Sequence, residues 1–536
     1  LVDMYAKCGE LCDAEKVLQD IPIRNAVSWS ALIAGYAQKG KCDVALNCYA
    51  KMKGEGILPD SIAFICILKA CGNTRALDKG KQIHDEIVRR DLLEKDIMLG
   101  TTLVDMYAKC GVLTKAYEVL KGLPIRNVVS WNALITGYAQ QGQCTEALDC
   151  FTLMQNEGIS PDAVTFINTL KSCASIGAID EGKQIHEEIV GRGLLNKSNI
   201  LLGNALVDMY VKCRLLVKAR QVLEELPSRD VISWNALITG YAHEGQDDEA
   251  LGCFLKMQSE GVSPNAITFV CILKACGSTA TIENGRRIHD EILMTGLLES
   301  DIMVGNALVD MYVKCGELPK AQRVLEELPI RDVVSWNVLI AGYSQEGQGH
   351  EALKSYEKML NENISPDTIT FICILKACAS SGAISKGAQI HEEILNRGLL
   401  EKDVILGTTL VDMYAKCGML EKAQQVLKNL PVRNVVSWSA LIAGYAQRGE
   451  SHEALSCFKE MQREGLIPNE ITFLSVLNAC RHSGLFDEAR SIFHDMSALY
   501  KIMPNLEHHT CMVVVFGLAG HFDEAMSVIK IMPSSD

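Results

Sequence analysis

Basic charge is what this chain most visibly lacks. Its 536 residues carry 52 lysines and arginines against 66 aspartates and glutamates, a formal net charge of -14. A chain-wide basic surface, the usual footprint of polyanion binding, is excluded. Long apolar runs are missing too. F-I-C-I-L-K-A-C is broken by Lys69, and nothing approaches the roughly 18 residues that cross a bilayer, so no membrane partner is expected. The 21 cysteines include no C-x-x-C pair, which removes the common zinc spacings. Cys8, Cys110, Cys213, Cys315 and Cys417 share one recurring position, and Cys71, Cys173, Cys276, Cys378 and Cys480 another. That pattern fits small packing residues kept reduced inside a cell.

Phosphate-binding loops are absent as well, since Gly80-Lys81 is followed by Gln82 and no G-x-G-x-x-G occurs. His84, His186, His289 and His391 each open H-D-E or H-E-E, half of a zinc-deaminase signature, but no P-C-x-x-C accompanies them. Four copies at one period on a helix point to a solvated face. No catalytic residue, metal site or cofactor is expected.

What the chain has is repetition. Its five tryptophans, Trp29, Trp131, Trp234, Trp336 and Trp438, are separated by 102, 103, 102 and 102 residues. Tyr5, Tyr107, Tyr210, Tyr312 and Tyr414 of V-D-M-Y keep the same spacings. A period held this closely marks a repeat array. Each unit divides into pieces of 35 residues (as 128–162), about 36 (as 61–96) and 31 (as 97–127), each with the pattern helix, turn, helix. In 128–162, Gly142 stops the first helix, and Ala147, Leu148, Phe151 and Met154 make one apolar face of the second. Twelve of 13 prolines close a piece, and Pro319 sits instead at a helix start, where it is tolerated. Neither helix can bury its face alone, so neighbouring pairs must stack. The expected fold is all-α, a right-handed superhelical solenoid of about thirty-two helices with first helices on the concave face. Its organisation is a partial piece at 1–25, triplets at 26–127, 128–230, 231–332 and 333–434, and a divergent triplet at 435–536.

The alternation V-V-S-W-N-A-L-I-x-G-Y, I-T-F-x-x-I-L-K-A-C and G-N-A-L-V-D-M-Y-x-K-C-G closely resembles plant-type pentatricopeptide repeats with P, L and S motifs. The resemblance covers the whole chain in sixteen motifs. It implies sequence-specific binding of single-stranded RNA, one base per P or S motif. It further implies the recognition tract of an organellar C-to-U editing factor, in a mitochondrion or chloroplast. Any deaminase would be on a missing C-terminal extension or supplied by another subunit, and the targeting segment would lie outside these residues.

The resemblance also assigns residues. The fifth and last residues of a motif read the base edge. In P motifs these are Ser30 with Asp60, Asn132 with Asp162, Asn235 with Asn265, Asn337 with Asp367, and Ser439 with Asn469. In S motifs they are Thr101 with Asn127, Asn204 with Asp230, Asn306 with Asp332, Thr408 with Asn434, and Thr510 with Asp536. By the family's pairing rules the target is n-G-n-A-U-n-U-Y-n-U-U-n-A-A-n-G. Val27, Val129, Ile232, Val334 and Val436, the second residues of P motifs, would lie against base faces. Core packing is the alternative for them. Ten short polar side chains at one helix-interior position are unexplained by helix propensity, and all can meet a base edge. The last residues also have the chemistry of helix caps. L motifs carry Ile65, Ile167, Val270, Ile372 and Leu474 at the fifth position, which offer no hydrogen bond and would space the array.

Lysines recur at Lys69, Lys171, Lys274 and Lys376 and at Lys109, Lys212, Lys314 and Lys416, the second set each four residues after an aspartate. A mildly basic groove on an acidic body follows. The alternative function is a tetratricopeptide-like scaffold that binds peptides in the same groove.

Overall fold

The structure, a computed structural model, describes residues 1–94 and 96–532. Among these residues all regular structure is helical. Thirty-two helices pair into successive hairpins, and a four-residue helix, Leu297–Ser300, and a 3-10 turn, Lys197–Asn199, are added in two connections. The all-α helix-turn-helix expectation is met. The chain forms two compact units, Leu1–Ile272 and Leu273–Asp536.

Apart from Val2–Cys8 and Ile200–Lys212, each first helix begins where an Asp or Asn presents a side-chain oxygen to an orphan N–H. Asp162, in extended backbone, accepts from Thr165 N–H at 2.9 Å, and Thr165 Oγ1 accepts from Asp162 N–H at 3.1 Å, closing a capping box. Asn127 and Ser130 do the same for the helix Val128–Gln140. That helix ends at Gly142, whose φ of +75° is open to glycine at little cost. The N–H of Gln143 then returns to Tyr138 O at 3.0 Å. The second helix, Cys144–Asn156, buries Ala147, Cys150, Phe151 and Met154 against Trp131, Leu134, Ile135 and Tyr138. Leu148 is only half-buried; Cys150 replaces it on the inner face.

Hairpins meet at three kinds of junction, each with its own polar staple. Where a P hairpin follows an S hairpin, an arginine from the end of the S motif reaches a P-motif glutamate that also accepts from the tryptophan, except at Trp234, whose Nε1 is buried without a partner among the described residues. Arg331 lies 2.9 Å from Glu362, and Trp336 Nε1 donates to the same carboxylate at 3.2 Å. Arg433, Glu464 and Trp438 repeat this at 3.1 and 2.9 Å. At three of the junctions where L follows P, an arginine covers a phenylalanine ring and donates to a proline carbonyl. Arg397 lies 5.2 Å over Phe371 and 2.8 Å from Pro366 O.

Where S follows L, the recurrent histidines bond the recurrent tyrosines. His84, His186, His289 and His391 approach the hydroxyls of Tyr107, Tyr210, Tyr312 and Tyr414 at 2.8, 2.9, 2.9 and 3.1 Å. This corrects the expectation of a solvated face. The H-D-E and H-E-E histidines are buried or half-buried junction residues, because the second helix of the L motif turns this edge toward the next hairpin. Beside each pair a glycine admits a methionine. A Cβ on Gly80 would fall 2.6 Å from Met106 Sδ, and one on Gly387 2.8 Å from Met413 Sδ.

The divergent final triplet changes both members of each contact together. Phe493 and Phe516 stand at the His and Tyr positions, and Ala489 and Val515 at the Gly and Met positions. A larger residue on one side is matched by a smaller one on the other, as a close-packed seam requires.

Candidate nucleic-acid interface

A helix repeats every 3.6 residues, so positions 2, 6, 9 and 13 of a first helix fall on one stripe. In the unit Leu1–Ile272 that stripe lines a groove of about 460 Å³. The S helix Ile97–Lys109 supplies Met98, Thr102, Asp105 and Lys109, and the P helix Val128–Gln140 supplies Val129, Ala133, Thr136 and Gln140. Thr101 and Asn132, the fifth residues, sit at its floor with Asp162, and Val164 and Lys69 come from the flanking L helices. Second, fifth and last residues of successive motifs are thus gathered on one surface.

The fifth residues are not caps. Nearly all are buried one turn inside the helix, and most P-motif copies bond the last residue of their own motif. Ser30 Oγ donates to Asp60 Oδ1 at 2.7 Å. Asn132, Asn235 and Asn337 donate through Nδ2 to Asp162, Asn265 and Asp367, each at 2.9 Å. Ser439 reaches Asn469 through Thr472, with oxygen separations of 2.6 and 2.8 Å.

The S motifs are looser. Asn204 Nδ2 lies 3.2 Å from both carboxylate oxygens of Asp230, and Asn306 Nδ2 lies 3.4 Å from Asp332. Asn434 Nδ2 lies 3.4 Å from Thr408 Oγ1. Thr101 and Asn127 are not joined; Thr101 donates instead to Ile97 O at 3.0 Å. Thr510 is exposed and donates to Leu506 O at 2.8 Å, while its expected partner Asp536 lies outside the described residues. The last residues meanwhile keep their capping bonds. Asp367 Oδ1 accepts from Thr370 N–H at 2.8 Å, so capping and pairing coexist on one oxygen.

The second residues are not core. Val27, Val129, Ile232, Val334 and Val436 are 69, 57, 57, 49 and 58% exposed. Within each unit, uncompensated apolar side chains at these positions stand beside the polar pairs. A flat apolar face fits against such a side chain while its polar edge meets the Asn and Asp groups. The aliphatic fifth residues of the L motifs, Ile65, Ile167, Val270, Ile372 and Leu474, are half-buried and add no polar group.

Models of the PPR repeat family match residues 24–73, 126–175, 229–278, 331–380 and 433–482, and PPR repeat models match 204–231, 306–333, 408–435, 471–499 and 507–536. A mitochondrial pentatricopeptide repeat-containing protein of Arabidopsis thaliana is 35% identical over 99% of this chain and 77% of its own length. The chain belongs to the pentatricopeptide repeat family. A chloroplastic relative from the same plant is 34% identical over 99% of this chain and 61% of its own. The crystal structure of maize PPR10 has the same fold, with a TM-score of 0.68 at 19% identity, covering 99% of this chain and 82% of that one. PPR10 in complex with an 18-nt psaJ RNA element aligns with a TM-score of 0.64 at 19% identity, over 93% of this chain and 78% of that one.

Within this pentatricopeptide repeat chain, two sets of lysines behave differently. Lys109, Lys212, Lys314 and Lys416 pair with the aspartates four residues earlier at 2.8, 2.8, 2.9 and 2.9 Å. Lys69, Lys171, Lys274 and Lys376 are exposed and enter no ion pair among the described residues. The L motifs therefore carry unneutralised cations, of which Lys69 lines the groove described above. Asp162, Asp332 and Asp367 are pushed up by burial, but hydrogen bonds from backbone N–H groups, Asn amides and hydroxyls outweigh it and leave each carboxyl below its usual range. They stand ready as acceptors.

Two sets of residues escaped the sequence reading. The second residues of L and S motifs, among them Ile62, Val164, Ile369, Met98, Met303 and Ile405, are as exposed as those of the P motifs. The signal was present, since the same position is apolar in all three motif types. Thr165, Thr268 and Thr370, third residues of L motifs, touch the fifth residue of the preceding P motif at 2.6 Å. Only a contact 33 residues away reveals them.

Elsewhere no metal-ligating chemistry competes. Groups of three or more His, Cys, Asp or Glu able to hold a metal are absent among the described residues, and no described helix is long and apolar enough to cross a membrane. All 21 cysteines are free, and burial pushes Cys150, Cys173, Cys378, Cys457 and Cys480 up to about 12, which keeps them as inert thiols.

Proposed function

We propose that this chain binds single-stranded RNA sequence-specifically, one nucleotide per P or S motif. The fifth and last residues read the base edge, and the exposed second residues hold its face. The observation that carries the reading is the pairing of fifth and last side chains beside exposed aliphatic residues. A base laid over a half-exposed Val or Ile buries apolar surface worth about 1 kcal/mol per nucleotide without regard to sequence. The polar pairs then supply the choice among bases. PPR10, which shares the fold, was crystallised with an RNA element, and this supports RNA as the partner.

The narrower role is the recognition tract of an organellar C-to-U editing factor, with a deaminase or other editing subunit as partner. The mitochondrial and chloroplastic names of relatives support an organellar location. The peptide-scaffold alternative has less support, since neither charged nor aromatic side chains occupy the fifth positions.

The test is binding of the 16-nucleotide sequence n-G-n-A-U-n-U-Y-n-U-U-n-A-A-n-G against a scrambled sequence of the same composition. Preference for the ordered sequence, retained at high salt, is expected. Equal binding of both would reject base reading.

A further inference from the structure

Within the proposed base-reading role, we propose that Thr165, Thr268 and Thr370 are positioning residues. Each locks the amide of the preceding P-motif asparagine, so that three side chains, not two, set base choice at these motifs. The hydrogen-bond chemistry leaves little freedom. Asn337 Nδ2 faces Asp367 Oδ1 at 2.9 Å, and a carboxylate has no proton to give, so the nitrogen must point there. Asn337 Oδ1 then faces Thr370 Oγ1 at 2.6 Å, and only the threonine has a proton to place between them; Thr370 Oγ1 also lies 2.9 Å from Asp367 Oδ1, and its one proton goes to the shorter contact. The amide is held at both ends, with one N–H and one lone pair left to meet a base. Asn132 with Thr165 and Asn235 with Thr268 repeat the arrangement at 2.6 Å. For Asn235 the last residue is an asparagine, but its Oδ1 is fixed by Thr268 N–H at 3.1 Å, so the polarity is the same.

The S motifs provide the contrast inside the same molecule. Their following motifs carry serine at the third position, and Ser233 Oγ donates to Asp230 O at 2.9 Å instead of reaching Asn204. Asn204 Oδ1 and Asn306 Oδ1 are buried without a partner among the described residues. Those amides are held at the nitrogen end alone. Two motifs with the same fifth and last residues are therefore different readers. The P-motif asparagine is pre-set, whereas the S-motif asparagine must be ordered by the base itself. Where the P motif has Ser30, whose hydroxyl bonds Asp60 directly, the third residue of the next motif is Ala63 and no lock is present.

Thr370 is fully buried and cannot touch RNA, which makes the test sharp. Wild type, Thr370→Val, Thr370→Ser and Asn337→Ala are titrated with four RNAs differing only at the nucleotide opposite this motif. Thr370→Val keeps the shape and removes the hydroxyl. It is expected to shrink the margin of the preferred base over the others by about three- to tenfold, the worth of one net hydrogen bond. Thr370→Ser restores the hydroxyl and should restore the margin. Because Thr370 also closes a capping box, a purely structural role predicts equal weakening for all four bases, and that result would overturn the proposal. If Asn337→Ala changes the ranking while Thr370→Val leaves every margin intact, the lock is wrong and base reading stands. If neither changes anything, base reading itself has failed and the lock with it. Should Thr370→Val lose its helical circular dichroism, wild type decides. The margin opposite Asn337 must exceed that opposite Asn306, and an equal or smaller margin overturns the proposal.

Discussion

Replacing Asn337 by threonine is the most direct test of the paired side chains. The substitution removes an amide that donates to Asp367 at 2.9 Å and accepts from Thr370 at 2.6 Å. It installs a single hydroxyl on a β-branched stem. The threonines already at fifth positions show where that hydroxyl goes: Thr101 and Thr408 donate to the carbonyl four residues back, at 3.0 and 2.9 Å. The new side chain would thus face a base chiefly as an acceptor, with the Asp367 carboxylate beside it. Two acceptors suit the amino and imino hydrogens of guanine and repel O4 of uracil. The expected outcome is a switch from U to G at this nucleotide alone. Its size is about 1 to 3 kcal/mol, or roughly five- to a hundredfold in relative affinity, the usual cost of a mismatched buried hydrogen bond. Stability should fall by less than about 1 kcal/mol, because the Asp367 cap on Thr370 N–H at 2.8 Å does not involve Asn337. The assay is equilibrium binding of both proteins to four RNAs that differ at one position. An unchanged ranking, or uniform weakening on all four, would refute the reasoning.

Three further outcomes follow from the same geometry. Val334→Thr, isosteric but polar at an exposed site, should weaken all four RNAs alike and leave the melting temperature within about 1 °C, since surface changes rarely exceed about 0.5 kcal/mol. A change in base ranking would contradict the clamp role. Lys376→Gln should flatten the log-log salt dependence of RNA binding by about 0.7, one single-strand phosphate contact, and by more than Lys416→Gln, because Asp412 already holds Lys416. Equal slopes for the two variants would remove the distinction between the lysine sets. For pH, burial holds His84, His186, His289 and His391 below their usual value, so the folded chain prefers them neutral. Their contribution is full above the unfolded value near 6.5 and is lost as pH falls through the lowered folded values. Melting should therefore decline from pH 7.5 to 5, and the double substitution His391→Phe with Tyr414→Phe, copying Phe493 and Phe516, should make that decline shallower. An identical decline in the variant would show that the histidine is not responsible.

Sequence alone determined the parts of this protein that depend on contacts within a few residues. Helix starts were legible because the Asp and Asn caps bond N–H groups two or three positions on. The S-motif lysine pairs were legible because Asp105 and Lys109 lie one turn apart. Stacked hairpins followed from the period, since neither helix of a motif can bury its apolar face by itself. The fifth-position asparagines stood out because short polar residues have no local reason to recur inside a helix.

Tertiary structure decided what one hairpin does to the next. Val334 and Leu339 are both aliphatic and on one helix, yet Val334 is half-exposed and Leu339 fully buried, because only the neighbouring hairpin fixes which stripe is covered. The histidines of H-E-E-I look like a polar helix face until the hairpin 23 or 24 residues later brings a tyrosine hydroxyl to each. Thr370 reads as an ordinary capping residue, and it is one. Its second bond, to Asn337 in the preceding motif, exists because stacking sets one helix start against the flank of another. No local pattern encodes that approach, and the choice of base would hang on it.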